Sequence, residues 1–336
     1  MRICVFAPWI LPFNPKIYQG AEKIAGYIAK ELLKTDDVLL VTTKRSIPFE
    51  NKIETVEPLQ DWNTSWIEQE KKAYEVAEPL VKKFNPDIII GHTWTGWEYI
   101  YSLKEEIPCT HTFHALPWQS NPPVENKNYI TLSRWQRLIV YQMLEEDSII
   151  IPNGIYLDEY PFCEEKEDYY LFLSRIAKEK GCHHIFILAK KYPNKKFVIA
   201  GAEQPDPNYI NKIKQTAKKF DNVTYKGEVS HEEKINLLQK AKALIALPSL
   251  PYIEVFGLYI VEALSCGTYV IGLRNGGLCD IIIDEKHGAL YDSVEEMILD
   301  IDYNPKDCRK RASHFTIQKT AKQYRNFIKN VIQNSM

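Results

Sequence analysis

Residues 247–272 read LPSLPYIEVFGLYIVEALSCGTYVIG. An apolar strand ends at Pro248-Ser249, a loop carries Glu254, and a helix is predicted from about Phe256 to Ser265. Glu262 follows Glu254 by eight residues, a spacing that spans about 12 Å of helix and returns to nearly the same face. The helix start lies between the two carboxylates. Its first backbone N–H groups, around Gly257, Leu258 and Tyr259, lack partners inside the helix and form a ready anion site. Gly257 lets an anion approach the backbone closely. After a Cys266-Gly267 turn the chain enters a further strand, Tyr269–Gly272. Strand, loop, helix and strand in 26 residues are the signature of a parallel α/β sheet.

The same rhythm runs outward in both directions. Strands are predicted at Arg2–Ala7, Val38–Thr42, Asp87–Gly91, Cys109–Phe113 and Ser148–Ile151, then at Tyr169–Leu173, Lys196–Ala200, Val223–Lys226 and Ala243–Leu247. Helices are predicted at Gly20–Lys34, Thr64–Phe84, Gly181–Tyr192, Asn208–Phe220 and His231–Lys240. Short apolar strands alternating with helices indicate parallel sheets covered on both faces. Two such rounds, interrupted near Pro152–Glu167, give an α/β chain of two Rossmann-like, doubly wound domains: residues 1–152, residues 153–315, and a last helix, within 316–336, expected to cross back to the first domain. Ligands of such sheets bind beyond the carboxyl ends of the strands.

Composition narrows the function. The 336 residues carry 42 basic and 44 acidic side chains, with 16 and 20 of them in residues 1–150, so no half has the basic excess of a nucleic-acid binder. No apolar run reaches the roughly 20 residues of a membrane span, and the start MRICVFAPW reads as a strand rather than a secretory leader. Seven cysteines without a C-x-x-C pair point to free thiols and a cytoplasmic protein. There is no G-x-x-x-x-G-K-[ST] loop and no G-x-G-x-x-G after a strand, which removes the main support for a nucleoside triphosphatase or a dinucleotide oxidoreductase.

One carboxylate before the helix start, free amides at it and a second carboxylate beyond it suit a hexose, a diphosphate and a ribose in that order, because carboxylates accept paired hydrogen bonds from hydroxyl groups. Upstream, Leu173–Gly181 reads LSRIAKEKG. Arg175 and Lys180 are cations near a predicted helix start, where the dipole disfavours them unless an anion lies between. They would stabilise the charge growing on a departing diphosphate.

These residues resemble the donor motifs of family 4 retaining glycosyltransferases, which have the GT-B fold. Pro248-Ser249, Glu254-Val255-Phe256-Gly257-Leu258, Glu262-Ala263, Cys266-Gly267 and Gly276-Gly277 stand in that family's order, and Leu173–Gly181 resembles its L-[SG]-R-x-x-x-x-K-G element. Tyr269 stands where the family has proline, and Cys279-Asp280 where it has Pro-Glu. The resemblance implies two domains facing a central cleft and transfer of a hexose from a nucleotide-diphosphate sugar, with retained configuration and no cofactor or metal. It implies donor contacts at Gly20, Arg175, Lys180, Val229, Glu254, Phe256, Gly257, Leu258, Tyr259 and Glu262. It gives catalytic roles to His114, Glu254, Arg175 and Lys180. Gly20 comes from Gln19-Gly20-Ala21-Glu22, where the family has two glycines. His114 comes from Thr110–His114, and Val229 from Gly227-Glu228-Val229-Ser230. Strand alternation sends His111 and His114 to opposite faces, against joint metal ligation.

All seven tryptophans, Trp9, Trp62, Trp66, Trp94, Trp97, Trp118 and Trp135, precede residue 152. Several follow strand ends, which suits a glycan-like or amphipathic acceptor and allows peripheral contact at the inner face of a membrane. The expected partners are thus a nucleotide-sugar donor and that acceptor, with no nucleic acid. The alternatives are a nucleotide-sugar epimerase of similar fold and a non-catalytic nucleotide-sugar-binding subunit.

Overall fold

The structure is a computed structural model and describes residues 1–17, 20–58, 65–117, 128–203 and 206–335. Gln19, Trp62 and Trp118 therefore lie outside the described residues. The chain divides into two compact units, Met1–Gly154 with Ile317–Met336, and Ile155–Thr316. The first division falls after Gly154 rather than at Pro152, and the second after Thr316.

Among its described residues, unit 1 holds β1 (Arg2–Phe6), α1 (Ala21–Leu32), β2 (Asp37–Thr42), β3 (Lys52–Glu54), α2 (Trp66–Phe84), β4 (Ile88–Gly91), α3 (Trp97–Glu105), β5 (Cys109–Thr112), β6 (Tyr129–Thr131), α4 (Arg134–Leu144) and β7 (Ser148–Ile150). Its strands form a parallel sheet in the order β3-β2-β1-β4-β5-β6-β7. Runs such as Val38–Thr42 and Ile88–Gly91 are buried along their whole length, as strands covered on both faces must be.

Unit 2 holds β8 (Glu167–Leu173), α5 (Ile185–Lys191), β9 (Lys196–Ala200), α6 (Pro207–Ala217), β10 (Val223–Gly227), α7 (His231–Lys240), β11 (Ala241–Ala246), α8 (Leu258–Ser265), β12 (Tyr269–Leu273), α9 (Leu278–Ile281), β13 (Gly288–Tyr291) and α10 (Pro305–Ala312). Its parallel sheet runs β10-β9-β8-β11-β12-β13. Side chains close the helix starts. Ser133, Asp206 and Ser230 each accept a hydrogen bond from the backbone N–H three residues on, and Pro207 takes the first helical position of α6.

In both sheets the winding reverses once, between β1 and β4 and between β8 and β11. At such a switch point the loops leaving two neighbouring strands turn to opposite faces and open a ligand crevice. In unit 2 those loops are Ser174–Gly181 and Leu247–Gly257, the segments singled out from the sequence. The final helix, α11 (Ile317–Ser335), belongs to unit 1. Its Tyr324 hydroxyl lies 2.9 Å from Thr112 Oγ1 and its Arg325 binds Asp36 at 2.7 Å.

Gly181 joins the two switch-point loops of unit 2. Its φ is +72°, and a Cβ there would overlap the Leu247 carbonyl oxygen. Both the backbone conformation and the clash are with rigid groups, so Gly181→Ala is expected to lower the unfolding free energy by about 2 kcal/mol or more, read from urea titration.

Candidate active site

The loop after β8 delivers Lys180 into a nearly closed position. Its Nζ donates to Glu254 Oε2 at 2.6 Å and to the Tyr252 hydroxyl at 2.8 Å, and the Tyr252 hydroxyl donates to Glu254 Oε1 at 3.2 Å. Lys180 and Glu254 are 7% and 8% exposed, so the pair is shielded from water and from salt. The ammonium also lies 4.4 Å from the centre of the Tyr252 ring. Burial, and then the charge of Glu254, push the Tyr252 phenol well above its ordinary value, so it stays protonated and can donate. An ammonium has three N–H donors. Two are used inside this triangle, which leaves one for an incoming anion.

Asn275 fixes the loop that carries Glu254. Its Oδ1 accepts from the Glu254 N–H at 2.8 Å, while its Nδ2 donates to the carbonyls of Tyr252 and Pro248. The Gly277 N–H donates to the Glu254 carbonyl at 2.7 Å. Gly276 has φ +52°, and a Cβ there would strike that same carbonyl. The Gly-Gly pair thus serves the backbone of the Glu254 loop.

Four findings adjust the sequence reading. The helix begins at Leu258, not Phe256, with Gly257 in a left-handed conformation at φ +94° before it. Glu254 stands on the loop, as expected, so the helical spacing does not set its direction relative to Glu262. Phe256 is buried, its ring 5.8 Å from that of Phe315, and is a packing residue. Lys180 is already paired with Glu254, and Arg175 with Glu179 at 3.3 Å, so the two cations are not held apart waiting for an anion. Glu262 is also engaged: the Tyr160 hydroxyl donates to its Oε1 at 2.6 Å, and Lys234 approaches its Oε2 at 2.6 Å. Leu258 and Tyr259 supply the first amides of α8, and Val229 is half-buried in the turn between β10 and α7.

Unit 1 places the remaining residues elsewhere. Gly20 precedes α1 with no atom within 4 Å of where a Cβ would sit, so packing does not demand glycine there. His114 Nε2 lies 2.8 Å from His92 Nδ1, whereas His111 pairs with buried Glu98 at 2.9 Å. The two histidines have separate partners, and no group of three or more His, Cys, Asp or Glu able to hold a metal occurs among the described residues. Trp9 is fully buried edge-on to Phe6, and Trp97 stacks on Tyr74 at 5.7 Å, so both are core rather than acceptor platforms. No described helix is long and apolar enough to cross a membrane. Tyr252, Asn275, Tyr160, Lys234 and His92 were not found from the sequence. Of these only Tyr252, two residues before Glu254, stood inside a motif.

Both sheets, their strand orders and the loops at their switch points define a GT-B fold. Residues 161–313 match the family model described as Glycosyl transferases group 1, so this stretch carries that domain. The chain is 34% identical over 246 residues to D-inositol 3-phosphate glycosyltransferase of Mycolicibacterium smegmatis, covering 61% of this chain and 56% of that one. It is 28% identical over 219 residues to a probable sucrose-phosphate synthase of Thermosipho melanesiensis, covering 57% and 50%. The chain thus spans about half the length of the curated relatives it matches. Among solved structures it is similar to the sucrose-phosphate synthase of Thermosynechococcus elongatus, with TM-score 0.79, 18% identity and 99% of each chain covered. It is also similar to HepE of Anabaena in complex with UDP and glucose, with TM-score 0.75, 17% identity and 97% and 99% covered.

Burial holds His114 at a pKa of about 3, with the nearby His111 adding to the effect, and pushes His92 well below its ordinary value. Unfolded, each imidazole titrates near its ordinary value of about 6.5. Below that pH the unfolded chain binds more protons, so this contribution to stability falls as pH drops from about 6.5 toward 3. Buried Glu22 and Glu70, raised to about 7, contribute in the opposite sense, their stability being lost as pH rises through that value. The test is therefore a difference. Between pH 6.5 and 4, His114→Asn is expected to lose less stability than the wild type in parallel thermal melts. Glu262→Ala removes the acceptor of the Tyr160 hydroxyl bond and the carboxylate beside Lys234, and is expected to cost about 1–3 kcal/mol in denaturant titration.

Proposed function

We propose that the chain is a retaining glycosyltransferase that moves a hexose from a nucleotide-diphosphate sugar to a glycan-like or amphipathic acceptor hydroxyl without a metal. The observation that carries this reading is the buried Lys180–Glu254–Tyr252 triangle at the switch point of unit 2, beside the first turn of α8. The Glycosyl transferases group 1 match over the same residues supports it.

In this reading the diphosphate takes the amides of Leu258 and Tyr259 and the remaining N–H of Lys180, with Arg175 adding charge. Glu254 accepts hydrogen bonds from hexose hydroxyls through lone pairs that Lys180 and Tyr252 leave open. Glu262, held in place by Tyr160 and Lys234, accepts from the ribose. The C1–O bond to the diphosphate breaks, and the acceptor oxygen bonds to C1 on the same face. The acceptor proton passes to the departing phosphate oxygen. Glu254 is committed to two donors, which suits a binder rather than a covalent nucleophile; a double displacement needs a carboxylate about 5 Å from its acid partner across the sugar. Lys180, Arg175 and the helix start stabilise the departing charge, so transfer is proposed to persist in EDTA.

HepE binds UDP and UDP-glucose, so UDP-glucose heads a thermal-shift screen that also includes GDP- and ADP-sugars; a ligand of the folded state raises its apparent stability. Glu254→Gln keeps the side chain's size but exchanges an acceptor for a donor. It is expected to lower transfer about a hundredfold through misorientation of the sugar, while leaving affinity for the free nucleoside diphosphate nearly constant. Wild-type transfer by this variant would remove Glu254 from the hexose site, and epimer formation without acceptor would favour an isomerase.

A further inference from the structure

The two loops at the switch point of unit 2 are joined through their backbones. The Ser249 N–H donates to the Glu179 carbonyl at 3.1 Å, and the Tyr252 N–H donates to the Ser249 carbonyl at 3.1 Å. Asn275 Nδ2 donates to the Tyr252 carbonyl at 2.9 Å. Tyr252 is thus fixed through both of its backbone polar groups. Its side chain turns about two bonds only, whereas Lys180 reaches the same place on a flexible four-carbon stem. Of the two, the tyrosine is the fixed point.

The protons in this corner have one consistent arrangement. An ammonium only donates, and an ionised carboxylate only accepts. The Tyr252 oxygen therefore accepts from Lys180 at 2.8 Å, and its single O–H goes to Glu254 Oε1 at 3.2 Å, while Lys180 donates directly to Glu254 Oε2 at 2.6 Å. Each carboxylate oxygen has its own donor, and the ammonium is held to the Oε2 side. The three N–H bonds of an ammonium are tetrahedral, so fixing two sets the direction of the third. Without the phenol oxygen, nothing holds the ammonium off centre. Opposite charges attract strongly where water is largely excluded, and the ammonium would move to straddle both carboxylate oxygens. Its third N–H would then take a different direction, and a phosphate would have to draw the cation off a centred pair.

We infer that Tyr252 is a positioning residue: its hydroxyl holds the Lys180 ammonium to one side of the Glu254 carboxylate and so aims the remaining N–H at the diphosphate. The diphosphate rests on the function proposed above; the off-centre ion pair does not. Tyr252 acts through Lys180 and gives no proton to the ligand, because its one O–H is committed to Glu254. The role exists only while Glu254 carries a charge that can pull the ammonium away, and this dependence separates it from a general contribution to packing.

A double-mutant cycle read by isothermal titration of UDP, GDP and ADP tests this. Tyr252→Phe keeps the backbone bonds and the ring, whose centre lies 4.4 Å from the ammonium, and removes only the hydroxyl. For whichever nucleotide the wild type binds, Tyr252→Phe is expected to weaken Kd about three- to tenfold, the range of one hydrogen bond. In a Glu254→Gln background no carboxylate draws the ammonium in, and the same change is expected to alter Kd by no more than about twofold, the scatter of uncoupled sites. A packing defect would weaken binding equally in both backgrounds. Equal loss in the two, or an unchanged Kd in Tyr252→Phe alone, would overturn the positioning role while leaving the proposed function in place. If the wild type binds none of the three nucleotides, the proposed function fails and the inference fails with it.

Discussion

The buried ion pair between Lys180 and Glu254 joins segments 74 residues apart and closes the switch point of unit 2. Removing two charges from water costs several kcal/mol per ion, and mutual attraction offsets this only where geometry is good and the remaining valences are met. Here Tyr252 meets one valence of each partner, and the spare N–H of the ammonium and lone pairs of the carboxylate are what a ligand could take up. The pair therefore does two things at once. It registers the loop after β8 against the loop after β11, and it stores a cation and an anion side by side in a dry place. Gly181, Asn275 and the Gly276-Gly277 turn are supports for that arrangement, each holding backbone that the pair needs in one position.

Unit 1 uses buried polar chemistry in a different way. Its strand-end loops are held by carboxylates that accept from backbone and hydroxyl groups: Glu70 takes the N–H groups of Trp94 and Thr95, and Glu98 binds Thr93 and His111. His92 and His114 lie at the ends of the two strands beside these loops. Networks of this kind are rigid when satisfied, because each broken bond leaves a costly buried group. The β4 loop is thus anchored from α2, and the ring of His114 rests on a partner backed by α11.

Fold class was legible because the strands of doubly wound sheets are short continuous apolar runs. Lys196–Ala200 and His231–Lys240 were placed to the residue. The elements that escaped had little pattern to offer. β3 has three residues with one buried side chain, β6 has three, and α10 is a charged octapeptide whose buried residues are Cys308 and Ala312. The motif residues Lys180, Glu254 and Glu262 were legible because spacing around a helix start has chemical meaning. Their partners were not, since Tyr160 meets Glu262 across 102 residues and Asn275 meets Glu254 across 21, distances over which sequence carries no geometric signal. The sequence treated the acids and cations as separate ligand groups; tertiary contact made them a pair.

The Lys180–Glu254 corner of unit 2 is proposed to receive a nucleoside diphosphate. Isothermal titration of UDP, GDP and ADP into the wild type and into Lys180→Met, below the melting temperature of both, tests it most directly. The expected result is saturable binding of one nucleotide to the wild type and at least about a tenfold weaker Kd in the variant, since a charge-assisted hydrogen bond to phosphate is worth about 1.5–3 kcal/mol. Equal affinity in the two proteins would contradict it.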